Sequence, residues 1–146
     1  MIEVIIIMGS EKDMEHSKRI AKLFEEFEVP YKLKVASAHK TPLKVLEILK
    51  EYEDKDAIFI TVAGKSDALS GFVSANTEKP VIACPPFDEK KWFDIFSTIR
   101  MPIGATPMLV LEPENAAIAA LKIIGIKNER IRGKIKEYLN KLKENI

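Results

Sequence analysis

Apolar residues along the 146-residue chain follow two alternating rhythms. Short unbroken runs rich in Val and Ile give way to stretches where apolar positions recur every three or four residues. Residues 2–8 form the first run, and its unbroken β-branched character predicts a strand buried on both faces. Gly9, Ser10 and Asp13 interrupt it, after which Ile20, Leu23, Phe24 and Phe27 mark the apolar stripe of a helix closed by Pro30. Residues 31–36 read as a second strand, more exposed because Lys32 and Lys34 alternate with apolar neighbours. Thr41-Pro42 predicts a helix start with Thr41 as N-cap, and Val45, Leu46, Leu49 and Tyr52 supply its buried stripe.

The alternation continues. Residues 57–62 predict a third strand, and the loop from Ala63 to Gly71 leads into a short helix. A fourth strand over 81–84 is stopped by Pro85-Pro86, a helix is expected over 92–100, and Met101-Pro102-Ile103-Gly104 is a turn. Residues 108–111 predict a fifth strand, and an alanine-rich helix over 113–124 ends at Gly125. Strand followed by helix, five times over, predicts an α/β fold with a single doubly wound, parallel five-stranded sheet and helices on both faces. Residues 1–125 are expected to form the functional domain. Residues 126–146 add an amphipathic helix with Ile131, Ile135, Tyr138, Leu139 and Leu142 on one stripe. A helix beyond the fifth strand's own partner has little of its domain left to cover, so it is expected to pack on a neighbouring subunit. Docking back onto its own domain is the alternative.

Composition narrows the function classes. Twenty-three basic and 22 acidic residues are interleaved to a net charge of +1, leaving no basic stripe for nucleic acid or an anionic membrane. No apolar run is long enough to span a bilayer, and Met1 is expected to lead straight into a strand, so that no signal peptide is expected. The single Cys84 excludes an internal disulfide framework and fits a reducing cytoplasm, and two histidines far from it give no zinc spacing.

In a doubly wound sheet, ligands bind at the carboxyl ends of the strands where the strand order reverses. The loops after the first three strands carry the candidate chemistry. In the first, Gly9 allows close backbone approach, Ser10 offers a hydroxyl before a helix N-terminus, and Asp13 is able to accept from ribose hydroxyls. The alternative is that Ser10 or Asp13 merely caps the helix. In the second, Ser37-Ala38-His39-Lys40-Thr41-Pro42, an imidazole suited to moving a proton near neutrality sits beside an ammonium suited to a phosphate; His39 serving only loop backbone groups is the alternative. The third, Ala63-Gly64-Lys65-Ser66-Asp67-Ala68-Leu69-Ser70-Gly71, is small and polar, so that backbone donors converge on a planar ligand or carboxylate, or simply make a tight turn. His16 reads as part of a solvated helix face, Cys84 as a buried thiol and Trp92 as core or interface packing.

Taken in order, Gly9-Ser10 with Asp13, Ser37-Ala38-His39-Lys40-Thr41-Pro42, Ala63-Gly64-x-Ser66, Cys84-Pro85-Pro86, Arg100-Met101-Pro102-x-Gly104 and Glu112-Pro113-x-Asn115-Ala116-Ala117 resemble the purine-pathway AIR carboxylases and N5-carboxyaminoimidazole ribonucleotide mutases. The resemblance runs over residues 2–125. It implies a flavodoxin-like fold, a substrate site that includes Gly9, Ser10, Asp13, Ser37, Ala38, Lys40, Ala63, Gly64, Lys65, Ser66, Asp67 and Leu69, and His39 as the proton-transfer residue. Ser10, Asp13 and Lys40 would hold the phosphate end. It implies aminoimidazole ribonucleotide and CO2 as substrates, no cofactor or metal, and homo-oligomers, commonly octamers.

The family has two branches. The mutase branch typically reads A-G-G-A-A-H-L-P-G in the third loop, the direct carboxylase branch A-G-R-S-N-A-L-S-G. Ser66, Ala68, Leu69 and Ser70 side with the carboxylases, as does Lys40 where mutases usually carry Arg. Lys65 for Arg keeps the charge without the bidentate fork, and Asp67 for Asn puts a carboxylate where that branch has an amide. The mutase reaction is the nearest alternative. A phospho-receiver needs acidic residues where Met8, Gly9, Ala63 and Gly64 stand; a flavin carrier or a non-catalytic relative is the remaining alternative.

Overall fold

The computed structural model describes residues 1–145. Five strands, β1 (Glu3–Met8), β2 (Tyr31–Val35), β3 (Ala57–Val62), β4 (Val81–Ala83) and β5 (Met108–Leu109), form one parallel sheet in the order β2-β1-β3-β4-β5. Six α-helices accompany them: α1 (Met14–Glu26), α2 (Pro42–Glu51), α3 (Leu69–Ala75), α4 (Phe96–Ile99), α5 (Pro113–Gly125) and α6 (Glu129–Glu144). The doubly wound α/β reading holds. Because β1 lies between β2 and β3, the chain's direction of travel across the sheet reverses there. The register pairs Met8 with both Val35 and Val62, which brings the ends of these three strands level.

Side-chain alternation along β1 divides the core into two layers. Val4, Ile6 and Met8 face α1 and α5, meeting Ile20, Phe24, Ala117 and Leu121. Ile5 and Ile7 face the other way, against Val45, Leu49, Leu69 and Val73 of α2 and α3. These five of the six β1 side chains are fully buried, each worth about 1.5–3 kcal/mol of apolar transfer. That double burial makes β1 the rigid post from which the first loop springs.

Two expectations are corrected. The fifth strand is two residues long rather than four, although Val110 N–H still donates to the Ala83 carbonyl. The stretch expected as one helix over 92–100 is instead the end of a 3-10 segment, Glu89–Ile95, which is itself kinked at Lys91, followed by the single-turn α4. The C-terminal helix docks on its own domain. Ile131 and Ile135 are buried in the layer with α1 and α5, and Tyr138 and Leu139 pack against it. The reason is visible at the C-terminal ends of the two neighbouring helices: the Arg130 guanidinium donates to the Phe27 carbonyl (2.9 Å) after α1, and that of Arg132 to the Gly125 carbonyl (2.7 Å) closing α5. The approach at Gly125 is close, since a Cβ there would lie 3.4 Å from the Arg132 Cα. Ile146, the last residue of the expected helix, lies outside the described residues. Among the described residues no helix is long and apolar enough to cross a membrane.

Candidate active site

The loops leaving β1, β2 and β3 surround a cavity of about 530 Å³ at the reversal point of the sheet. Gly9, Ser10, Lys12 and Asp13 line it from the first loop, Ser37, Ala38, His39 and Lys40 from the second, and Ala63, Gly64, Lys65, Ser66, Ala68 and Leu69 from the third. Volume of this order is that of a small-molecule pocket. Lys12, Lys40 and Lys65 place three ammonium groups around it against one carboxylate, Asp13, so its field favours an anionic ligand.

Each loop is shaped by its own short hydrogen bonds. Ser10 adopts extended backbone and its Oγ accepts from Lys12 N–H at 3.2 Å, so it caps the 3-10 turn Glu11–Asp13 that precedes α1. Its hydroxyl proton stays available to a ligand. Asp13 makes no capping bond to α1; burial raises its carboxyl above the usual range, opposed by the nearby His16. Gly9 is anchored by its N–H to the Val62 carbonyl (2.8 Å), and a Cβ there would make only an ordinary 3.5 Å contact with Ala63.

The second loop closes on itself. Ser37 N–H donates to Thr41 Oγ1 (2.9 Å), Thr41 N–H to the Ser37 carbonyl (2.8 Å) and Lys40 N–H to Ser37 Oγ (3.1 Å). The Thr41 hydroxyl, expected as the cap of α2, is thus spent on the turn, and it makes no side-chain cap bond. This closed ring presents His39 and Lys40 outward at the cavity, both exposed.

The third loop contains the correction among the site residues. Gly64, Lys65 and Ser66 are exposed at the cavity, but Asp67 is turned away and only 3% exposed. Its carboxylate accepts from Ser70 N–H (3.1 Å), Ser70 Oγ–H (2.7 Å) and Thr98 Oγ1–H (2.9 Å), and its own N–H donates to Ser97 Oγ (2.9 Å). A carboxylate so used has no access to a ligand. Lys65 holds φ of +56°, the left-handed region that side chains other than glycine rarely enter.

Lys12 and Ala68 complete the lining beyond the residues singled out from sequence. Lys12 is legible in the sequence, since it lies between Ser10 and Asp13; Ala68 offers only a methyl group. His16 is not the solvated residue expected: it is half-buried, and its Nε2 lies 3.0 Å from the Cys84 carbonyl. Cys84 is the buried thiol expected. Trp92 is 54% exposed and packs edge-on against Phe93 and Phe96, so it belongs to no core.

A cationic cavity at the reversal point of a parallel, flavodoxin-like sheet, with an imidazole at its rim, defines an α/β protein with a site suited to a small anionic molecule. The likeness to known proteins narrows this further. The chain belongs to the AIR carboxylase family, whose sequence model matches residues 3–145. A phosphoribosylaminoimidazole carboxylase of Archaeoglobus fulgidus is 56% identical over 138 residues, covering 94% of this chain and 77% of that protein. One of Treponema denticola is 45% identical over 139 residues, covering 93% and 87%. The crystal structure of Treponema denticola PurE superposes with a TM-score of 0.95 at 42% identity, covering 99% of this chain and 94% of that one.

Proposed function

We propose that the protein is a phosphoribosylaminoimidazole carboxylase, joining CO2 to 5-aminoimidazole ribonucleotide to give 4-carboxy-5-aminoimidazole ribonucleotide for IMP synthesis in the cytoplasm. The observation that carries this reading is the convergence of Ser10, Asp13, His39, Lys40, Gly64 and Ser66 from three separate loops on one cavity. The Lys12 and Lys40 ammonium groups neutralise the ribose 5'-phosphate, the Ser10 hydroxyl donates to it, and Asp13 accepts from ribose hydroxyls.

The aminoimidazole ring is an enamine, so its C4 supplies the electron pair for the new carbon–carbon bond, and one C=O π pair of CO2 moves onto oxygen. C4 is then tetrahedral and still carries its hydrogen. His39, in its neutral form, takes that proton as general base; the C–H pair returns to the ring and restores aromaticity. The proton passes from His39 to water. Gly64 N–H and the Ser66 hydroxyl donate to the nascent carboxylate. No step calls for ATP, biotin or a metal, because the nucleophile resides in the substrate.

The proposal includes self-association. Phe87, Trp92, Phe93, Phe96, Ile99 and Ile103 are each at least 44% exposed around the 3-10 segment and α4. An apolar surface of this kind marks an interaction site, and a second copy of the chain is its simplest occupant. Light scattering of the purified protein tests this: a monomer mass at micromolar concentration contradicts it.

The decisive assay supplies aminoimidazole ribonucleotide with labelled bicarbonate. Label in the carboxylated product supports the carboxylase. Conversion of the N5-carboxyamino ribonucleotide without label uptake makes the protein a mutase, and neither reaction removes the assignment.

A further inference from the structure

We propose that Asp67 is a positioning residue, whose buried carboxylate straps residues 64–66 into the shape that receives the oxygens of CO2. This rests on the carboxylase reading of the cavity and assigns a task to the one candidate residue that does not face it.

An ordinary helix cap would need only the Ser70 N–H. Here the carboxylate also takes a hydroxyl proton from Ser70 and another from Thr98, which lies 31 residues away on α4. The backbone N–H of Asp67 is bound as well, to Ser97 Oγ, which in turn donates to the Asp94 carbonyl (2.8 Å). Every donor to the carboxylate is neutral, so among the described residues the negative charge is held by three hydrogen bonds and by no cation. Hydrogen bonds to a charged acceptor are the stronger kind, and breaking such a buried set leaves the group unsatisfied.

The strap therefore has two fixed ends. Val62 belongs to β3 and is fully buried; Asp67 is fixed to α3 and α4. Residues 64–66 bridge the gap, exposed, beside the cavity that His39 also lines. Lys65 sits in the left-handed region, an unfavourable conformation for a side-chain-bearing residue. A Cβ at Gly64 would meet nothing within 4 Å, so steric packing at that position does not hold the loop. The anchored end at Asp67 does.

The test compares wild type with Asp67→Ala, Asp67→Asn and Thr98→Val, measuring KM separately for the nucleotide and for CO2. Asp67→Ala should raise KM for CO2 on the order of tenfold while KM for the nucleotide, held at the other side of the cavity, stays within about twofold. Asp67→Asn keeps an acceptor for the Ser70 N–H and should restore both to within about threefold of wild type. Thr98→Val, which leaves the Ser70 pair intact, carries the same test should Asp67→Ala fail to fold, with a selective rise of about threefold. An unchanged KM for CO2, or both KM values rising together, overturns the proposal, since a merely structural role lowers the active fraction without this split. Amide hydrogen exchange over residues 63–69 decides the strap independently of turnover. It should quicken in Asp67→Ala and not in α1, and equal exchange overturns the proposal. Should wild type take up no label, the carboxylase reading fails, while the exchange result still stands.

Discussion

The imidazole of His16 reaches across 68 residues to the end of β4, where its Nε2–H donates to the Cys84 carbonyl at 3.0 Å. A carbonyl only accepts, so this bond fixes the proton on Nε2. His16 lies one turn after Asp13 on the same helical path, and the two groups shift each other: Asp13 works against the lowering of His16, and His16 against the raising of Asp13. A contact outside the cavity thereby touches one of the groups lining it.

Burial drives the His16 imidazole below its ordinary value, more strongly than its bond to Cys84 restores it. With the folded value depressed, the stability His16 contributes is present above the unfolded pKa of about 6.5 and is lost as pH falls through the lowered folded value. Melting temperature should therefore drop on acidification from neutrality. His16→Gln keeps a donor for the carbonyl and does not titrate, so its drop should be smaller. Parallel melting curves for the two proteins would rule His16 out as the group responsible.

Cys84 is completely buried, and burial first, then Glu112 and Glu114, push its thiol up to about 12. The thiolate is the reactive form. Native protein at about pH 8 should not react with a disulfide reagent, whereas denatured protein should release one equivalent. Rapid modification of the folded protein would contradict the buried placement.

His39 is exposed and its ring carries no structural burden in the turn that Ser37, Lys40 and Thr41 close. Replacing it by Asn should reduce turnover by about 10²–10⁴-fold, the usual worth of a general base. Stability should stay within about 0.5 kcal/mol, as for other surface substitutions. Circular dichroism and label uptake on the same sample check both halves.

The docking of α6 is measurable by contrast along one helix. Ile131 is fully buried, so Ile131→Ala should cost about 2–5 kcal/mol in denaturant unfolding. Leu142 is 47% exposed, and Leu142→Ala should cost less than about 0.5 kcal/mol. Equal costs would mean that α6 is not seated as described.

The β1 run and the stripe of α1 were readable because burial on both faces, or along one helical side, leaves an unmistakable spacing. The three cavity loops were readable because strand ends and helix starts bracket them. What escaped the sequence depends on contacts between distant segments. Nothing local to Asp67 announces that Thr98 will meet it, nor does a helix with Glu15 and Lys18 around His16 announce the Cys84 carbonyl. The C-terminal stripe told that α6 needs a partner, but not whose; Arg130 and Arg132, free to bond the exposed carbonyls that end α1 and α5, decide it.

The single turn of α4 has two obligations. Thr98 looks inward to Asp67, while Phe96 and Ile99, on either side of it, remain half open to solvent. A neighbour covering those two side chains would stiffen the same turn that steadies the loop beside the imidazole. Specific activity should then fall on dilution before any secondary structure melts, making the protein's abundance an input to its own rate.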